Sequence, residues 1–200
     1  YCCYPRRVIA TVNTPAHIAI NLGLLGRGRA AWVLWPIVLG SVVPDLPMLL
    51  FYASEKLRGI PEALIWREHY FLPQWQLFFD LPNSLPIAAL GGAIALWRKH
   101  LAWGLFFAAM ALHIATDLPL HHDDAHRHFL PLSDWKYHSP VSYWDPRHYG
   151  RYVLRIELLL SLLSLIVCWR RWSTLWTRLW IGFLAMSYVA YGIFVAIMWT

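Results

Sequence analysis

The sequence offers metal chemistry first at His113-x-x-x-Asp117, an imidazole and a carboxylate four residues apart. On a helix that spacing puts both side chains on one face, within reach of a single cation. The same spacing also serves hydrogen-bonded structural pairs, so a metal reading needs further ligands that converge on it. Several are present. His17 follows Asn13-Thr14-Pro15-Ala16, Asp45 lies in Val43-Pro44-Asp45-Leu46-Pro47, and Asp80 and Asn83 lie in Phe79-Asp80-Leu81-Pro82-Asn83. The run His121-His122-Asp123-Asp124-Ala125-His126-Arg127-His128 adds four His and two Asp in eight residues. Imidazole and carboxylate without thiolate suit divalent zinc, manganese or iron. The other reading of this run is a solvated, pH-sensitive loop whose His residues hydrogen-bond the rest of the chain. Other chemistries find less support. Cys2, Cys3 and Cys168 have neither metal nor disulfide spacing, Ser84 and Ser139 lack a nucleophile elbow, and Gly91-Gly92 sits in an apolar run as helix-packing surface.

Apolar helices must position these groups. The chain has 200 residues, 58% hydrophobic and 14% charged, with 13 Trp, a composition that argues against a water-soluble globule or a disordered chain. Apolar runs cover roughly residues 30–53, 81–97, 101–119, 152–169 and 174–199, with a shorter one at 16–26, and several approach the ~20 residues of a membrane-spanning helix. The expected class is all-α: a polytopic membrane helix bundle of about five transmembrane helices and a short N-terminal helix. Asn13 or Thr14 would cap that short helix ahead of Pro15. Strands are not expected, because open sheet edges are excluded from lipid and no alternating segments could close a barrel. Pro36, Pro44 and Pro47 should kink the second run near 41–47. Residues 54–80 mix charges with Trp66, Tyr70, Phe71 and Trp75 and read as an interfacial helix anchored by aromatics. The expected organisation is an N-terminal arm at 1–12, a metal-site bundle at 13–150 with a His-rich loop at 120–150, and a C-terminal helix pair at 151–200. The arm lacks the basic and apolar pattern of a signal peptide.

The charges sort by connection. Arg27 and Arg29, then Arg98 and Lys99, then Arg170, Arg171 and Arg178 occupy turns without any acid, which assigns those turns to the cytoplasmic side. All 11 acids and every His except His100 fall in the other segments. The His/Asp face is therefore expected to be extracytoplasmic, in a bacterial inner membrane. The net charge of +6 follows from those acid-free turns. It does not form the basic, aromatic-studded face of a nucleic-acid binder, so the expected partners are the lipid bilayer and a larger membrane complex. At 1.5 Å per residue, Asp80 lies about 27 Å from Arg98 and Asp117 about 27 Å from Lys99, whereas His17 lies only about 15 Å from Arg27. His17 should therefore sit deeper, or its helix should tilt.

The order Asn13-Thr14-Pro15-Ala16-His17, Val43-Pro44-Asp45 and His113-x-x-x-Asp117 resembles the bacterial family of membrane-bound, metal-dependent hydrolases. That family is similar in ligand order to zinc-dependent phospholipase C. The resemblance covers roughly residues 13–150. Within it, the stretch from Asp117 to Phe129 and Ser139-Pro-Val-Ser-Tyr-Trp-Asp145 look like a narrower group of bacterial integral membrane proteins. Pro47 stands where the hydrolases carry a second acid, and Asn83 where they carry a further His. Asn83 can ligate only through its amide oxygen, and Asp80 is the alternative donor.

The resemblance implies a metal-dependent hydrolase acting on a phosphoester or lipid-related substrate at the membrane surface. His17, Asp45, Asp80, Asn83, His113, Asp117, His121, His122, His126 and His128 are the candidate metal ligands. Asp123 or Asp124 would take a proton, and Arg127 would clamp an anionic ester. The alternative is a non-catalytic accessory subunit, with a structural metal or a hydrogen-bonded His/Asp plug and the Trp-rich C-terminal helices (Trp169, Trp172, Trp176, Trp180, Trp199) as a partner surface or lipid anchor. Metal or proton transport is a third, weaker reading, because run 174–199 has no charge except Arg178.

Overall fold

Proline sets several of the helix starts, because its missing N–H falls where a helix has no acceptor to offer. In the computed structural model, which describes residues 13–26 and 31–198, α1 spans Thr14–Leu25 with Pro15 in its first turn. Helix α3 (Leu46–Leu57) begins through Pro47, α5 (Pro73–Asp80) on Pro73, and α6 (Leu85–Trp97) through Pro86. The remaining helices are α2 (Leu34–Val42), α4 (Glu62–Arg67), α7 (Leu101–Asp117), α8 (Gly150–Arg171) and α9 (Leu175–Met198). Among the described residues there is no strand, and the all-α class holds. The arm at 1–12, Arg27, Arg29 and Trp199 lie outside the described residues.

Two local expectations are corrected. Asn13 stands at the N-cap of α1, but its side chain makes no capping hydrogen bond; the Thr14 hydroxyl donates to Asp45 Oδ2 at 2.6 Å rather than to the helix start. Residues 54–80 do not form one aromatic-anchored helix. They form the end of α3, then α4 and α5, with a 3-10 turn at His69–Phe71 between the last two. Trp66, Tyr70 and Phe79 turn inward onto Phe51 of α3, with Trp75 against them. Aromatic edge-to-face packing, rather than lipid anchoring, claims these rings.

The kink falls where the prolines place it. Helices α2 and α3 meet at 58° across a break of Val43–Asp45, and Asp45 sits at the corner. A second core joins α1, α2, α7, α8 and α9 through Leu22, Ile37, Ala109, Leu165 and Leu184. Gly40 permits the closest approach in it: a Cβ there would lie 2.1 Å from the Phe106 carbonyl oxygen of α7 and 3.0 Å from Ala109 Cβ. At the far end of α1, the Arg171 guanidinium donates to the Gly23 carbonyl at 3.2 Å and to the Gly26 carbonyl, closing the helix's C-terminus with a positive charge.

Three helical stretches are long and apolar enough to cross a membrane: Pro73–Trp97, Leu101–Leu120 and Gly150–Arg171. The bent pair Ala31–Val42 plus Leu46–Leu57 makes a fourth if it counts as one span. Their apolar side chains face outward as well as inward. Along α8, Ile156, Leu159, Leu163 and Val167 are all exposed, as a lipid-facing helix requires.

The His-rich segment is not a solvated loop. The Ser139 hydroxyl donates to the Pro119 carbonyl at 2.6 Å, Tyr143 N to the Leu120 carbonyl at 3.0 Å, and Leu85 N to the His128 carbonyl at 2.8 Å. These bonds fold it over the end of the bundle, and His121, His126 and His128 are buried.

Gly40→Ala should destabilise the bundle by about 1–3 kcal/mol through overpacking, read as a lower midpoint of thermal unfolding in detergent. Gly104→Ala on α7, where a Cβ meets nothing within 4 Å, should be neutral or stabilising.

Candidate metal centre

The last turns of α7 carry His113, Thr116 and Asp117, and the first turn of α1 carries His17. The two imidazoles stack, with ring centroids 3.9 Å apart and planes 25° from parallel. His17 Nε2 lies 3.2 Å from Asp117 Oδ1, and His113 Nε2 lies 3.3 Å from Asp45 Oδ1 and 3.6 Å from Asp117 Oδ2. Ligand atoms of His17, His113 and Asp117 all fall within 4.8 Å of one another, the spacing of donors around a single ion.

Hydrogen bonds on the opposite ring atoms fix which nitrogens are free. His113 Nδ1 is 2.8 Å from the Ser41 carbonyl, which can only accept, so Nδ1 carries the proton. The Thr116 hydroxyl donates back to the carbonyls of Leu112 and His113, leaving its oxygen to accept from His17 Nδ1 at 3.2 Å. In their neutral forms both rings then aim an Nε2 lone pair at carboxylate oxygens. His113 Nε2 is buried without a hydrogen-bond partner. Lone pairs facing carboxylates repel unless a proton or a metal cation lies among them. The donor set, the orphaned Nε2 and the carbonyl behind His113 fit a divalent metal, whose imidazole ligands are held by their other nitrogen. Below this layer, the Asn21 amide of α1 donates to Ser41 Oγ at 2.8 Å and to the Ala109 carbonyl at 2.9 Å, fastening α1 to α2 and α7.

The other candidates divide into three groups. His121 bridges carboxylates, with Nε2 3.1 Å from Asp117 Oδ2 and Nδ1 3.0 Å from Asp124 Oδ2. Burial works against its charge, but Asp124 and Asp117 outweigh it and hold the imidazole well above its usual range. Asp80, Asn83, His126 and His128 form an adjoining layer. Asp80 is fully buried and accepts from Arg127 Nε at 2.5 Å, from Arg127 N at 3.2 Å and from His126 Nδ1 at 3.1 Å. The Asn83 amide donates to the Pro44 carbonyl at 3.0 Å while its Oδ1 is buried and unpartnered. His128 Nδ1 donates to the Asn83 carbonyl at 3.0 Å. His122 stands apart: it donates to the Ser139 carbonyl at 2.5 Å and stacks on His148 with centroids 3.8 Å apart.

Among the residues expected to catalyse, Asp124 is engaged by His121, and Arg127 holds Asp80 and also reaches Asp134 at 3.2 Å. Neither is free for the role proposed from sequence. Asp123 is exposed on the rim of a cavity of about 80 Å³, whose lining includes His17, Asp45, Asp117, His121 and Asp124. That volume admits a handful of waters. The same lining contains residues that sequence reasoning passed over: Asn13, whose amide atoms are buried without partners, Trp144, whose indole N–H is likewise unpartnered, and Glu157 of α8. Glu157 carried a readable signal, as the only acid in an apolar helix of 22 residues.

No family model, no curated protein and no solved structure matches the chain.

Burial, reinforced by neighbouring His126, pushes His128 down to about 4 from 6.5. The unfolded chain therefore binds more protons than the folded one between pH 6.5 and about 4, and stability should fall as pH drops through that window. The full penalty corresponds to about 3 kcal/mol. Thermal unfolding in detergent at a series of pH values should show a steeper acid loss for the wild type than for His128→Asn, which keeps a donor for the Asn83 carbonyl but cannot protonate.

Proposed function

We propose that the protein is an integral-membrane, metal-dependent hydrolase. In this reading about five helices span a bacterial inner membrane, and the His/Asp end of the bundle lies on its extracytoplasmic side. One observation carries the reading: two stacked imidazoles, each with its Nδ1 hydrogen-bonded, aim both Nε2 atoms at the shared carboxylate of Asp117, with Asp45 also facing His113. His17, His113 and Asp117, with Asp45 beside them, would hold a divalent ion, zinc first among them. Such an ion, when bound, polarises a phosphoryl or acyl oxygen and lowers the pKa of its water toward neutrality.

The chain's own residues would do the rest. Ser41 and Thr116 orient the two imidazoles from behind. Thr14 holds Asp45, and His121 meets the Asp117 oxygen that His17 does not. Trp66, Tyr70, Phe71 and Trp144 wall the cavity, an apolar approach suited to an ester that reaches the site from the lipid surface. The substrate class is then a phosphoester or related lipid ester at the membrane face.

A second reading has one observation in its favour. Asp124 and Arg127, the groups nominated for catalysis, are tied up in ion pairs, as in a structural metal site within an accessory subunit of a larger assembly.

Metal analysis of the detergent-purified chain separates these from a metal-free plug. Close to one divalent ion per chain is expected, falling to below a tenth in His113→Ala and Asp117→Ala. Folded wild-type protein without metal would sink both metal readings. Stoichiometric metal without turnover of bis(4-nitrophenyl) phosphate would favour the accessory subunit.

A further inference from the structure

Glu157 is a carboxylate that the metal reading leaves unused. It sits in the second turn of α8, the apolar helix that packs along α1, and it lines the same cavity as His17 and Asp117. Among the described residues it makes no hydrogen bond or ion pair. An unpartnered acid in a candidate membrane helix is costly, and its usual justification is function.

The other carboxylates of the cavity are committed. Asp45 accepts from Thr14 and faces His113. Asp117 is shared by His17, His113 and His121, and Asp124 is paired with His121. Asp123 is exposed at the rim, where bulk water surrounds it. No Lys or Arg lines the cavity to neutralise Glu157. It is therefore the cavity's one carboxylate both sheltered on a rigid helix and free to accept a proton from a water held there.

We infer that Glu157 is the proton-accepting catalytic residue of the site. This rests on the hydrolase reading above. The water oxygen forms a bond to the electrophilic phosphorus or carbon of the ester, and its proton passes to a Glu157 oxygen. The bond to the leaving oxygen breaks with its electron pair, and Glu157 returns the proton to that oxygen. Water and ester are consumed, acid and alcohol are produced, and the carboxylate is restored without an oxidant or reductant. Positioned general bases of this kind contribute about 10²- to 10⁴-fold.

The test compares the full chain and two variants, Glu157→Gln and Glu157→Asp, in detergent with zinc as the added metal. Three quantities are read: zinc per chain, steady-state hydrolysis of bis(4-nitrophenyl) phosphate, and the unfolding midpoint of the metal-free protein. Expected for Glu157→Gln are wild-type zinc content, kcat lower by at least a hundredfold, KM changed less than threefold, and an unfolding midpoint equal to or above wild type. Removing an unpartnered charge should not weaken the bundle. Glu157→Asp should retain more turnover than Glu157→Gln. Wild-type turnover in Glu157→Gln overturns the inference while leaving the hydrolase reading intact. Loss of zinc in that variant makes Glu157 a ligand, and a lowered midpoint makes it structural; either overturns the inference. A wild-type chain that binds no zinc, or binds it without turnover, overturns the hydrolase reading and this inference together.

Discussion

The carboxylate of Asp117 is the interaction on which the polar end of this bundle depends. It faces His17 of α1, His113 of its own helix and His121 of the folded-over segment, so that one side chain draws three separate parts of the chain to a point. Helix α7 makes this possible because its last turns set an i, i+4 pair against both the start of α1 and the segment that follows α7. Asp45 reaches the same point for a different reason. The chain turns by 58° between α2 and α3, and Asp45 lies at that turn, 3.3 Å from His113. The bend and the cluster are one structural decision.

Around this point the polar groups stack in layers. Asn21 and Ser41 lie beneath, the stacked imidazoles and their carboxylates form the middle, and His121 with Asp124 closes one side. Next to them, buried Asp80 is neutralised by Arg127 and His126. The Arg127 guanidinium and backbone N–H hold its two oxygens, the pairing that a buried carboxylate requires. The two layers differ in kind. The Asp80 layer is held by a guanidinium, while the Asp117 carboxylate, among the described residues, is faced by imidazoles alone.

Much of the site was legible because it is carried by short-range spacing. His113 and Asp117 follow from the helical period, His17 from its place in the same first turn as Pro15, and Asp45 from the prolines that flank it. Their meeting across elements is direct: His17 Nε2 lies 3.2 Å from Asp117 Oδ1. The failures involve partners far apart in sequence. Nothing in the run around Arg127 announces that its guanidinium will be spent on Asp80, 47 residues earlier. The aromatics of 66–79 look alike whether they face lipid or Phe51, and only tertiary packing decides. Glu157 was visible as a lone acid but was not connected to the cavity, because no local pattern relates α8 to the end of α7.

The two helices that meet at the cluster arrive with opposite polarity. Helix α1 enters through its first turn, where peptide N–H groups point outward, and α7 enters through its last turn, where carbonyl groups do. Their dipoles therefore set a field across the cluster, positive on the α1 side and negative on the α7 side. The negative pole coincides with Asp117 and favours a cation there; the positive pole lies at Asn13 and Thr14 and favours negative charge. The backbone thus separates charge across the cavity, with Arg171 at the far end of α1 damping the opposite pole.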